Sequence, residues 1–206
     1  MKICIENENG QIKKDCDLII KNHLNETVKY SKELRGETNY LKNLAKMSEK
    51  IGCAVISPFD TDNYGVQRRS CGVFENGKLL GISDMTVSYE SSQFMPGNHG
   101  KIYYLNCGKI AVAVEDDLYR YELFKSFAVC GAEAVIIPKK KIKPEIDGII
   151  IRAMSYLLGL PVLIFGNKKV LASNVKGELI EEKGGSYILQ PLNEFTLKTT
   201  KIRFDK

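Results

Sequence analysis

A chain of 206 residues with 44% apolar side chains can bury one substantial core, and the expectation is a single domain over residues 1–206. No stretch approaches the run of about 20 apolar residues that spans a bilayer, and residues 1–12 lack the basic-then-apolar start of a secretory signal, so no membrane and a cytoplasmic location are expected. Much of the net charge of +5 comes from Lys139, Lys140, Lys141 and Lys143, a run that reads as a solvated loop; no aromatic-interleaved basic stripe accompanies it, which weighs against nucleic acid.

In chain order, β-branched runs bounded by turn residues predict strands at 2–5 and 17–21. A helix follows over 37–51, with Leu41, Leu44, Ala45, Ser48 and Ile51 on one face, Thr38 as N-cap and Gly52 as terminator. Strands at 53–57, 67–75 and 79–83 come next. The last two are joined by Glu75-Asn76-Gly77-Lys78, whose Asn-Gly supplies the positive φ values of a type I′ hairpin. Strands at 101–106 and 109–114 precede a helix at 117–130, in which Tyr121, Phe124, Phe127 and Ala128 have helical spacing and Gly131 ends the run. The remaining elements are a strand at 134–137, a helix at 144–158 with Pro144 in its first turn, and strands at 161–165, 170–173, 187–190 and 195–204. Strands and helices interleaved in this way predict a layered α/β protein.

The six cysteines form no CxxC pair and most lie in apolar runs, which argues against a disulfide framework or a zinc knuckle. Cys107 and Cys130 read as structural. His23 and His99 are distant in sequence, and His99 sits in a Pro-Gly-Asn-His-Gly loop without a recognisable catalytic setting. Arg68 and Arg69 lie on a strand and so point to opposite faces, as in a solvated hairpin.

Several motifs share one spacing. From Gly108 to Pro138, a strand leads into a helix with Asp117, Leu118, Glu122, Leu123, Gly131, Ala132, Glu133 and Pro138 in a recognisable order. Upstream stands Glu90-Ser-Ser-Gln-Phe-Met-Pro-Gly97, a Glu-x-x-x-Phe-x-Pro-Gly loop, and downstream Arg152-Ala153 on a helix. Over residues 15–190 this pattern resembles the nitrilase (carbon-nitrogen hydrolase) superfamily. The resemblance implies a nitrilase-type α-β-β-α sandwich, here with a shortened N-terminal unit, because the connection between 2–5 and 17–21 is too short for a helical crossover. The face so uncovered would need another helix or a partner chain, which leaves an interaction protein as one reading.

The family's chemistry uses a cysteine thiolate, a glutamate base and a lysine that stabilises the tetrahedral intermediate. Aligned on these motifs, Glu115 stands at the cysteine position, His23 at the glutamate and Asp84 at the lysine, while the accessory glutamate persists as Glu90; Tyr121 replaces a proline. A carboxylate is a poor stand-in for a thiolate, and Asp84 would repel a developing oxyanion. The implied protein is therefore a catalytically inactive homologue with a small-molecule-binding or scaffold role. The alternative is a hydrolase acting on carbon-nitrogen (amide) bonds with altered residues, His23 as base and a metal assisting. If His23, Asp84, Glu90 and Glu115 converge, with Asp116 and Asp117 close by, the pocket is acidic. It would then hold a divalent metal or a cationic ligand, or else its side chains are solvated or bonded to one another. No other cofactor is implied. The family commonly pairs through the helix after the nucleophile strand, which implies a homodimer made by 117–130.

Overall fold

The computed structural model describes residues 1–6, 15–24, 26–88, 93–97, 100–166, 169–192 and 194–195. Two sheets lie face to face with helices on their outer sides. The first contains β1 (Lys2–Ile5), β2 (Leu18–Ile20), β3 (Thr27–Lys29), β4 (Ala54–Asn63), β5 (Val66–Glu75), β6 (Lys78–Asp84) and β12 (Ser186–Ile188), in the order β12-β1-β2-β4-β5-β6 with β3 paired to β4. The second runs β11-β10-β9-β8-β7, built from β7 (Lys101–Leu105), β8 (Gly108–Val112), β9 (Ala134–Pro138), β10 (Val162–Gly166) and β11 (Lys169–Ser173).

Strand alternation explains the layers. Ile3, Leu18, Ile20, Ala54, Ile56, Cys71 and Val73 of the first sheet meet Ile110, Val112, Ile136 and Leu163 of the second in a dry central core. The alternate residues Ile19, Val55 and Phe74 face outward onto Leu44 and Ala45 of α2 (Tyr40–Ile51). On the other side, Val135, Ile137, Val162 and Ile164 pack on Phe124 and Phe127 of α3 (Tyr121–Val129) and on Ile151, Met154 and Leu158 of α4 (Pro144–Leu158). The result is the α-β-β-α sandwich that the sequence implies. Among the described residues, no helix is long and apolar enough to cross a membrane.

Most elements form where the periodicity places them, including the Asn76-Gly77 hairpin, whose φ values are 51° and 77°. Several differ. The strand expected at 53–57 runs on to Asn63, because Thr61 and the flanking acids continue the antiparallel ladder with β5 until Tyr64 and Gly65 turn at φ 52° and 87°. The helix at 37–51 starts at Tyr40, and its N-cap is Asn39 rather than Thr38. The helix expected at 117–130 is broken into a 3₁₀ turn, Glu115–Tyr119, and α3, with Arg120 extended between them. A short helix α1 (Tyr30–Leu34) and strand β3 were not legible, being too brief to show a period. The strand expected at 195–204 lies almost entirely outside the described residues.

The expectation of unpaired cysteines fails at one place. Cys4 and Cys16 are joined in a disulfide with Cα atoms 6.0 Å apart. The parallel register Ile3↔Leu18 and Cys4↔Ile19 turns Cys4 onto the outer face of the first sheet, and the chain returns beside it just before β2. No short-range motif signals such a pairing. Together with α2 this side is not bare: Cys4, Ile19, Val55 and Phe74 are fully buried, which removes the expected uncovered face at the centre of the sheet. Whether the family's first helix has a counterpart falls on residues 7–14, outside those described. Closing a loop of this length constrains the unfolded chain, so reduction, or Cys4→Ser with Cys16→Ser, is expected to cost about 2–3 kcal/mol. Urea melts with and without reductant test this; coincident midpoints would refute it.

Candidate functional site

Beyond β8 the chain leaves the sheet through Val114, still extended, and then reverses at Glu115, which has φ +54°. A left-handed backbone is costly for a side chain as large as glutamate and persists only where its surroundings impose it. Here the restraint is Asp117. Its buried carboxylate accepts from the Val114 N–H at 3.2 Å, the Thr86 N–H at 2.9 Å, the Thr86 hydroxyl at 2.6 Å and the Val87 N–H at 3.2 Å. Burial pushes the Asp117 carboxyl above its usual range, against the pull of these donors. Arg120 also donates to the Thr86 hydroxyl, at 2.7 Å, so the loop after β6 is tied to the elbow from two residues.

The elbow opens on a cleft of about 480 Å³ whose lining includes Arg69, Met85, Glu115, Tyr119, Lys139 and Lys140. Glu115 lies 3.0 Å from Arg69 Nη1 through Oε1, and the same oxygen accepts from the Lys140 N–H at 3.0 Å. Lys140 Nζ in turn donates to Asp60 at 2.7 Å, and Asp60 lies 3.6 Å from His23 Nε2. Burial pushes the Asp60 carboxyl up, but His23 and Lys140 outweigh it and hold the group below its ordinary value. His23, Asp60, Lys140, Glu115 and Arg69 thus form one connected line across the gap between the sheets, in which Lys140 meets Asp60 with its ammonium and Glu115 with its backbone N–H. Deeper still, Tyr119 donates its hydroxyl to the fully buried Asp147 at 3.0 Å, and Lys139 Nζ sits 3.3 Å from that hydroxyl and 3.8 Å from Asp147. Burial and then Asp147 push the Tyr119 phenol up to about 12.

This arrangement corrects the sequence reading in three ways. First, the three expected site residues that are described, His23, Asp84 and Glu115, do not converge. Glu115 faces the cleft and His23 reaches it only through Asp60, whereas Asp84 points to the outer face of its sheet, where it accepts from Ser70 at 2.6 Å and lies 3.9 Å from Arg68. The residue of that strand end that reaches the cleft is Met85, and a shift of one residue along a strand exchanges faces. Glu90 and His99 lie outside the described residues. Second, the expected acidic pocket is lined by five cationic groups, with Lys141 and Lys143 joining those above, against Glu115 and Asp116. Among the described residues, no three His, Cys, Asp or Glu side chains are placed to hold a metal ion. Third, the lysine run is no simple solvated loop, since Lys139 is only 6% exposed. Arg68 and Arg69 do point to opposite faces, but the second enters the site. A longer strand at 53–63 would have placed Asp60 on the inward face of Ala54 and Ile56; Lys139 and Lys140 gave no comparable signal.

Restoring a residue without the left-handed penalty isolates the elbow's strain. Glu115→Gly and Glu115→Ala both lose the Arg69 pair, yet the alanine variant is expected to be less stable by about 1 kcal/mol. Equal stabilities in chemical denaturation would show that the elbow relaxes when the side chain is removed.

A two-sheet sandwich with outer helices and a strained strand-end elbow beside the site defines the class to which this structure compares. No family model and no curated protein matches the sequence. Solved structures do match in fold. A carbon-nitrogen hydrolase from Helicobacter pylori is 15% identical over 85% of this chain and 78% of its own, with a TM-score of 0.66. An amidase from Nesterenkonia sp. is 13% identical over 91% and 87%, with a TM-score of 0.68. Nit3 of Saccharomyces cerevisiae, a member of branch 10 of the nitrilase superfamily, is 17% identical over 84% and 74%, with a TM-score of 0.70. The chain has the nitrilase-superfamily fold.

Proposed function

We propose that this chain is a non-catalytic protein of nitrilase fold whose cleft binds a small molecule. The observation that carries this reading is Glu115: at the strained elbow stands a carboxylate engaged by Arg69, not a thiol. Of the free cysteines Cys53, Cys71, Cys107 and Cys130, none contributes to the cleft. Burial pushes the Cys107 thiol up to about 11 and Cys71 higher still, so neither is a ready thiolate. The altered hydrolase finds less support. His23 Nδ1 is 2.5 Å from the Leu24 carbonyl and must donate to it, and Nε2 faces Asp60, so no ring nitrogen is directed into the cleft as a base.

The expected result is no ammonia release from a panel of short aliphatic amides and nitriles, by a coupled assay sensitive to one turnover per hour. Hydrolysis that Glu115→Gln abolishes would overturn the reading. Association as a homodimer through residues 117–130 belongs to the same proposal, and on the neighbouring α4 the apolar Ile146, Ile149 and Tyr156 are at least half exposed at helical spacing, which supports a wider apolar surface there. Light scattering at micromolar concentration should give twice the chain mass; a monomer at all concentrations would exclude it. The cytoplasm is the proposed location, and the four free thiols fit it. The Cys4–Cys16 bridge is the element that a reducing compartment would open.

A further inference from the structure

Resting on that binding reading, we infer that the cleft takes a small organic polyanion, a molecule bearing two or more carboxylate or phosphate groups. The lining is asymmetric in charge. Arg69, Lys139, Lys140, Lys141 and Lys143 all line the space, whereas Asp60 and Asp147, which balance Lys140 and Lys139, are not part of the lining. Of the two acidic residues in the lining, Glu115 is already engaged by Arg69, and with Asp116 counted the cationic groups still outnumber the anionic ones five to two. An entering group therefore meets the positive ends of these pairs, in a setting drier than bulk water, where charge-assisted hydrogen bonds are stronger.

Lys139 gives the inference its second leg. It follows directly on β9, is more than nine-tenths buried, and lines the cleft. An ammonium has three donors, and among the described residues Lys139 has one hydrogen-bond acceptor, the Tyr119 hydroxyl at 3.3 Å; Asp147 at 3.8 Å offers attraction without a hydrogen bond. A buried ammonium with unspent donors is costly unless something in the cavity accepts from them. An anionic oxygen does so directly. Lys141 and Lys143, exposed and without an ion pair among the described residues, then hold a second anionic group at the rim. A neutral amide offers a single uncharged acceptor oxygen and leaves the rim unused.

The test is calorimetry on the full chain at fixed ionic strength, with citrate and pyrophosphate as anionic probes and propionamide as the neutral one. Citrate, pyrophosphate or both should bind, and whichever is tighter distinguishes a carboxylate from a phosphate ligand. Lys139→Met should weaken that binding at least tenfold, while Lys46→Ala, on the exposed side of α2, should change it less than twofold. Should Lys139→Met fail to fold, with buried Asp147 left without its cationic neighbour, the rim double variant Lys141→Ala with Lys143→Ala reads the same question and should also lose at least tenfold. Binding of propionamide without either anion would overturn the polyanion inference and leave the binding reading intact. Equal losses in the cleft variants and Lys46→Ala would reduce the effect to general surface charge and overturn it. Binding of no probe would count against both.

Discussion

Replacing Asp117 by alanine is expected to lower the unfolding free energy by about 4 kcal/mol, the largest effect of any polar side chain near the site. The carboxylate is 1% exposed and is the shared acceptor for the backbone N–H groups of Thr86, Val87 and Val114 and for the Thr86 hydroxyl. Alanine strands several donors in a space too enclosed to supply water to each, and every buried donor left unmade costs about 1–3 kcal/mol. The same change frees the elbow, since the Val114 contact closes the turn that holds Glu115 at positive φ. Asp117→Asn retains one oxygen and should lose less. Urea denaturation followed by circular dichroism checks the ranking. A loss below about 1 kcal/mol for the alanine variant would mean that water or a rearranged loop replaces the carboxylate.

Gly166→Ala is the second large effect, expected at about 3–4 kcal/mol. A Cβ at this position would lie 1.9 Å from the Lys139 carbonyl oxygen and 2.8 Å from its carbon. Both are backbone atoms, so no rotamer change relieves the clash and the strands must separate. β10 is paired in parallel with β9, with Phe165 beside Pro138, and the Lys139 N–H donates to the Phe165 carbonyl at 2.9 Å. Separation there displaces Lys139 from the floor of the cleft. The variant should therefore lose stability and probe binding together, whereas the exposed double variant Lys141→Ala with Lys143→Ala should lose binding with a smaller stability change. Wild-type thermal stability for Gly166→Ala would show that the two strand ends are not so closely apposed.

The layers were legible because they rest on local regularities. Continuous apolar runs such as Ala134–Pro138, the 3.6-residue stripe of Leu44, Ala45 and Ser48, and the Asn76-Gly77 turn each carry their own signal, and the hydrophobic effect has one economical way to bury them. Strand ends were less legible. Ala54–Asn63 continues past its apolar part because a neighbouring strand satisfies its backbone, which a polar sequence does not announce.

The site divides along the same line. Position 115 was marked by the family resemblance, which sets it at the end of a strand before a helix, and the structure places it in the lining of a cleft. Its neighbours were not found. Asp84 and Met85 differ by one residue, and only the pleat decides that Met85 enters while Asp84 leaves. Asp60 and Arg69 lie on β4 and β5 of one sheet and Lys139 and Lys140 just beyond β9 of the other, so the Lys140–Asp60 pair exists only after the two sheets close on each other. The sequence by itself determined a layered α/β protein, because that is carried by residue type and periodicity; the α-β-β-α order and the interest of position 115, where a glutamate and no cysteine stands, came with the family resemblance. Tertiary structure decided the sign of the cleft's charge and the Cys4–Cys16 bridge, because both depend on which distant side chains the sheets bring within a few ångströms.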